Sequence, residues 1–175
     1  MAEHDYSSQR HDYMTSPEMY NPILAFKNRT EFDIDVCCTQ HNIPAHQHFT
    51  EKENGLIQIW DGLCFLNPEF RYAAKWVGKS VGEVAVNNCE VWAVLPMDRL
   101  YVNYYHDYIL NNRACVFGFM KGKQGFIIPG EEDLPIKPSV GIMIACFSNN
   151  APEIEYCWNM ENLFGIRAFL GGNGR

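Results

Sequence analysis

The sequence predicts an all-β protein: an antiparallel β-sandwich of about ten to twelve short strands behind a polar N-terminal arm. Short runs rich in β-branched and aromatic residues recur along the chain, separated by turn residues at intervals of roughly ten. No long amphipathic helix is evident from the periodicity. The length of 175 residues and an apolar share of 47% suit one domain with a substantial core.

Taken in order, residues 1–20 read as an arm, polar and tyrosine-bearing, without helical periodicity. Residues 21–170 read as the sandwich. "ILAFKN" and "FDIDVCC" flank a turn-like "RTE". "LIQIW" and "LCFLN" flank Asp61-Gly62, a pair suited to the positive φ angles of a tight hairpin. "FRYAAKWV", "VGEVAV", "EVWAVL", "LYVNYYHDYIL", "ACVFGFM", "GFIIPG", "VGIMIACF", "IEYCW" and "LFGIRAFL" complete the strands. Asn87-Asn88 and "MKGKQG" punctuate them as turns, and "PEFRYAAKW" is an alternative short helix. The proline-rich, charged "PGEEDLPIKP" reads as a surface loop, and residues 171–175 as a C-terminal tail.

The net charge of −7 and the lack of any Lys/Arg run argue against a nucleic-acid partner. No apolar stretch reaches the roughly 20 residues that span a bilayer, and no secretory leader is visible. A cytoplasmic location follows for the chain as written, an extracellular one for a processed form. Seven cysteines, mostly in apolar runs, read as reduced, buried thiols. The absence of CxxC argues against structural zinc. Asn28-Arg29-Thr30 is a glycosylation sequon relevant only to a secreted chain. Trp60, Trp76, Trp92 and Trp158 read as core.

The most distinctive stretch is "LPMDRLYVNYYHDY", Leu95–Tyr108, crowded with tyrosines. Together with "SVGEVAVNNCEVWAV" before it, it resembles the actinoporin-like family of membrane-binding β-sandwiches. Pro96 and Asp98 stand where that family has its proline and aspartate, and Met97 where an aromatic is usual. After a one-residue gap, Tyr101, Asn103, Tyr104 and Tyr105 follow the Tyr-x-Asn-aromatic-aromatic pattern. "LAFKNRTEFDIDV" and "VGIMIACFSNNAPEIEY" are similar to the family's early and late strands. The resemblance implies a non-enzymatic binding protein without cofactor. Pro96, Leu100, Tyr101, Tyr104, Tyr105 and Tyr108 would contact a phosphocholine lipid head group or a glycan. Ring faces attract quaternary ammonium and phenol edges bond phosphate oxygens, so tyrosine suits both charges. Pore formation does not carry over, because the arm shows no amphipathic helix. A structural protein forming homo-oligomers through arm and tail is a second expectation.

A third, a cupin-like metal-dependent enzyme, rests on "HNIPAHQHFTEKENG". His-x-His puts two imidazoles on one strand face, and His46, His48 and Glu53 resemble the first motif of the metal-binding cupin family. Gly62 falls two residues beyond that motif's glycine, and Tyr101 stands where the second motif's histidine is expected. "NNCEVW" resembles the Asn-Cys-Glu box of a cysteine acyltransferase family. The upstream histidine motif of that chemistry is missing, so Cys89 reads as a buried strand thiol.

Overall fold

A computed structural model describes residues 13–99, 101–120, 125–128, 141–151 and 163–164. The architecture is mixed α/β, which overturns the all-β sandwich. In chain order it runs β1 (Met14–Thr15), α1 (Pro17–Phe26), β2 (Phe32–Asp35), β3 (Ala45–His48), β4 (Leu63–Leu66), α2 (Ala73–Asn87) and β5 (Glu90–Pro96). There follow α3 (Asn103–Tyr105), which widens into a π turn over His106–Leu110, then β6 (Cys115–Met120), β7 (Phe126–Ile127), β8 (Ile142–Phe147) and β9 (Leu163–Phe164). The main sheet has the order β3-β2-β4-β5-β8-β6-β9, and β1 pairs with β7 separately. Strands β3, β2, β4 and β5 are mutually parallel, while β8 is antiparallel to both β5 and β6.

The sheet is buried on both faces, and alternation along each strand sorts the side chains. Ile34, Cys64, Leu66, Val91, Ala93, Leu95, Ala145 and Phe147 join Ala73, Val77 and Val84 of α2 in one core. Phe32, Leu63, Phe65, Trp92, Val94, Ile144 and Cys146 join Met19, Tyr20, Ile23 and Leu24 of α1 in the other. Two-faced burial explains why "LCFL" and "IMIACF" read as unbroken apolar runs. Such runs belong to a sheet covered on both sides.

Four predicted strands fall on three helical elements. In α2 the buried Ala73, Val77, Ser80 and Val84 recur every three or four residues, so "FRYAAKWV" and "VGEVAV" lie on one helix. "ILAFKN" falls in and just after α1, whose Met19, Tyr20, Ile23 and Leu24 form one buried stripe. "LYVNYYHDYIL" contains the short α3 and its π turn. Valine and tyrosine favour strands when considered locally, and tertiary packing overrode that preference. Asn88 is no hairpin turn: it caps α2 in the left-handed conformation at φ 55°. Where an arm was expected, Met14 and Thr15 pair with Ile127 and Phe126. "IEYCW" and the tail lie outside the described residues.

Asp61-Gly62 makes no hairpin either, since residues 56–60 form a turn, a bend and irregular chain rather than a strand. Gly62 does adopt φ +66°, and a Cβ there would lie 2.3 Å from Asp33 Oδ2. That same oxygen accepts the Leu63 N–H at 2.7 Å, fixing the entry to β4. We expect Gly62→Ala to destabilise the fold by about 1–3 kcal/mol, from the positive φ and the displaced carboxylate together. Urea unfolding checks this, and an unchanged midpoint would contradict it.

Candidate active site

In an open sheet with parallel strands, the chain leaves a crevice where connections from adjacent strands diverge. Here β2 leads to β3 on one side, and β4 leads through α2 to β5 on the other. The divergence falls between the carboxyl ends of β2 and β4, where Asp35-Val36-Cys37-Cys38 faces Asn67-Pro68-Glu69-Phe70. An open depression of about 560 Å³, lined by Cys38, Thr39, Thr50, Glu51 and Lys52, continues over the ends of β2 and β3.

Asp35 is the charged group of the first wall. It is 2% exposed, and burial pushes its carboxyl up to about 7 against the opposing hydrogen bond from the Cys37 N–H. Burial also pushes the Cys37 thiol up to about 12, helped by the charges of Asp35 and Glu69. Cys38 is pushed up to about 12 by burial and by Asp35 and Glu53. Both thiols are therefore protonated at neutral pH and poor nucleophiles. Cys37 lies within reach of the charges of both walls, Asp35 and Glu69.

Asn67 is the polar residue at the end of β4. Its Nδ2 donates to Thr15 Oγ1 at 2.7 Å, across 52 positions of sequence. Thr15 is buried, held by the β1–β7 pairing and by Asn42, whose Nδ2 donates to the Thr15 carbonyl at 2.8 Å. With its amide nitrogen engaged, Asn67 presents Oδ1 as an acceptor, and among the described residues that oxygen has no partner. Pro68 is buried and lacks an N–H, so the turn that follows is stiff. Phe70 packs edge-on against Phe126 of β7, at 6.2 Å between ring centroids. Strand β7 and its partner β1 thus close over the same edge of the sheet.

The predicted tyrosine surface is not assembled. Pro96 is buried at the end of β5. Tyr101 is exposed, while Tyr105 is buried with its hydroxyl donating to Met143 Sδ at 3.1 Å. Tyr104 packs against the α2-side core, and Tyr108 lies over Gly78 of α2. Leu100 lies outside the described residues. The helical turn of Asn103–Leu110 sends successive rings in different directions, where a strand would have aligned alternate ones.

The histidines do not converge either. His46 Nε2 lies 3.3 Å from Glu31, and His48 Nε2 lies 2.9 Å from the Ile43 carbonyl while its ring stacks on His41. Glu53 accepts from the Thr50 N–H and hydroxyl. Among the described residues, no group of three or more His, Cys, Asp or Glu side chains is placed to hold a metal ion. Cys89 is buried against Cys64, as its apolar setting suggested.

Compared with known proteins, residues 4–154 match the family model described as DNA N-6-adenine-methyltransferase (Dam). No curated protein and no solved structure matches the chain. The family match overturns the actinoporin-like resemblance, the non-enzymatic lipid- or glycan-binding reading and the lectin-like and membrane-binding properties attached to it. It also overturns the exclusion of nucleic acid. That exclusion rested on total charge and on the lack of a contiguous Lys/Arg run, whereas a phosphate responds to charge brought together in space within about a Debye length, roughly 10 Å at moderate salt. No described helix is long and apolar enough to cross a membrane.

Sequence reasoning missed Asp35, Asn67 and Thr15. One signal was present: "LCFLNPEF" is an apolar run that ends in asparagine and proline and leads into a helix-compatible segment. A polar residue at that junction occupies the carboxyl end of a strand, where sites on parallel sheets form.

Proposed function

The chain belongs to the DNA N-6-adenine-methyltransferase (Dam) family, and we propose from that premise that the crevice between β2 and β4 methylates the N6 amino group of adenine in DNA. The observation that carries this reading is Asn67, an amide tethered by its nitrogen so that its oxygen is left to accept. The N6 group of adenine is a hydrogen-bond donor, and the asparagine side chain is a natural partner for that edge.

The methyl donor of such a reaction, of the S-adenosylmethionine type, supplies an electrophilic methyl group on a positively charged sulfur. The residues present fit such a donor. Asp35 brings negative charge to the crevice when ionised, complementary to a cationic sulfur. The Asp35-Val36-Cys37-Cys38-Thr39 segment contains no glycine-rich phosphate cradle, in keeping with a donor that carries no phosphate. The depression beside Cys38 is of a size that accommodates a nucleoside.

On the substrate side, Asn67 Oδ1 accepts an N6–H and orients the nitrogen. As the nitrogen attacks, it becomes positive and its N–H bonds become stronger donors, so this hydrogen bond tightens in the transition state. The proton then leaves to solvent. A base inside a duplex must be extruded to reach such a crevice, and Phe70 offers an aromatic surface three residues from Asn67.

Incubating the chain with adenine-containing duplex and a donor labelled on its methyl group tests the proposal. Label should appear as N6-methyladenine after digestion. A folded chain that binds the donor yet transfers nothing to any adenine-containing DNA would refute it.

The tether makes a separate prediction. Thr15→Val removes the oxygen that receives Asn67 Nδ2, frees the amide to rotate, and should lower kcat about tenfold, equivalent to one hydrogen bond of about 1.4 kcal/mol. Thr15→Ser keeps the hydroxyl and should retain most activity. Equal rates for the two variants would remove Thr15 from this role.

A further inference from the structure

We propose that Arg71, Tyr72 and Lys75 form a cationic platform that grips the DNA backbone beside the extruded adenine; the inference rests on the methyltransferase reading above. Three observations place it. The turn Phe70–Tyr72 follows directly on Asn67-Pro68-Glu69, and Lys75 lies in the first turn of α2, so the cluster stands at the carboxyl edge of the sheet that holds the crevice. The Arg71 guanidinium carbon lies 4.7 Å from the centre of the Tyr72 ring, and the Lys75 ammonium 5.6 Å from it. Tyr72 is 44% exposed, so both cations are arranged around a surface open to a partner.

The electrostatics favour phosphate. In a chain of net charge −7, an anionic polymer must be met by local positive charge. Lys27, Arg29 and Lys79 are paired with Glu90, Asp33 and Glu83 and are less exposed than Arg71, whose side chain stays 55% exposed beside its own partner Glu69. Lys75 makes no ion pair among the described residues. Arg71 is anchored through Nε to Glu69 at 2.5 Å, which fixes the plane of its guanidinium. The ring restrains both side chains by cation–π attraction, reducing the entropy lost when they engage phosphates. When a base swings out of the stack, the phosphates flanking it lie about one nucleotide from the pocket. A platform that begins four residues after Asn67 is well placed to hold them.

Binding of a short labelled duplex over a salt series tests this. Each lost phosphate contact should lower the slope of log K against log salt by about 0.9, so Arg71→Gln/Lys75→Gln should lower it by nearly 2. The loss should be the same for duplexes with and without adenine, because phosphate contacts carry no sequence information. Tyr72→Leu should weaken binding and Tyr72→Phe should restore it, since the ring face is what holds the cations. Arg113 is exposed and precedes β6, whose Cys115 lies level with Val91 at the opposite edge of the sheet. Arg113→Gln should therefore leave the slope unchanged. An unaltered slope in the double variant, or an equal fall in Arg113→Gln, would overturn the platform while leaving the methyltransferase reading intact. A parent chain that neither binds nor methylates DNA would instead remove the reading itself, and the platform with it.

Discussion

Replacing Asn67 with alanine should slow methyl transfer by about 10²–10³-fold, in the range found when one preorganised transition-state partner is removed. The effect should fall on kcat. The bond from Oδ1 to the N6 amino group strengthens only as positive charge develops on nitrogen, so it contributes little to ground-state binding. DNA affinity should stay within a few-fold of the parent chain, because phosphate contacts dominate it. Asn67→Asp separates the two ends of the side chain. A carboxylate still accepts from N6, and it can accept from the Thr15 hydroxyl, so activity should fall less than with alanine. Single-turnover rates at saturating DNA measure both variants. An alanine variant with an unchanged kcat would exclude Asn67 from the chemistry, whatever becomes of the family's reaction elsewhere on the chain.

Affinity for a positively charged methyl donor should rise with pH and level off above about 7, where burial has moved the Asp35 carboxyl. Between pH 6 and 8 the ionised fraction grows about tenfold, and donor affinity should follow it. The neutral thioether product should show no such rise. Asp35→Asn keeps an acceptor for the Cys37 N–H but not the charge. It should flatten the profile and weaken donor binding about tenfold at pH 8. Stability should move the opposite way. With its folded pKa above its unfolded one, Asp35 contributes stability that is fully present below about pH 4 and lost as pH rises through 7. At pH 8 the parent chain therefore holds a buried carboxylate whose hydrogen bond from the Cys37 N–H does not offset its desolvation, and Asp35→Asn should be more stable by a few kcal/mol. Calorimetric titration with donor and product, beside urea unfolding at pH 5 and 8, checks both signs. Donor affinity indifferent to pH would remove Asp35 from donor binding.

Much of the sheet was legible from local composition. "FDIDVCC", "LCFLN", "EVWAVL", "ACVFGFM", "GFIIPG" and "VGIMIACF" each contain a strand, β2, β4, β5, β6, β7 and β8 respectively. The helices were not, because α2 carries valines at positions 77, 81, 84 and 86, and two adjacent strands resemble one valine-rich helix over so short a span. The site was less legible still. Tyr101, Tyr104, Tyr105 and Tyr108 drew attention by their density, yet they divide between solvent and core. His46 and His48 are engaged by Glu31 and by a backbone carbonyl.

From the sequence alone came the apolar runs that build the sheet, the positive φ at Gly62, and the buried thiols. These depend on a residue and its immediate neighbours. Only the tertiary structure decided that β2, β4 and β5 run parallel, that α1 and α2 cover opposite faces, and that Thr15 reaches Asn67. Strand direction and the crevice are set by contacts between segments tens of residues apart, and no local pattern of apolar and polar residues records which distant segment lies alongside.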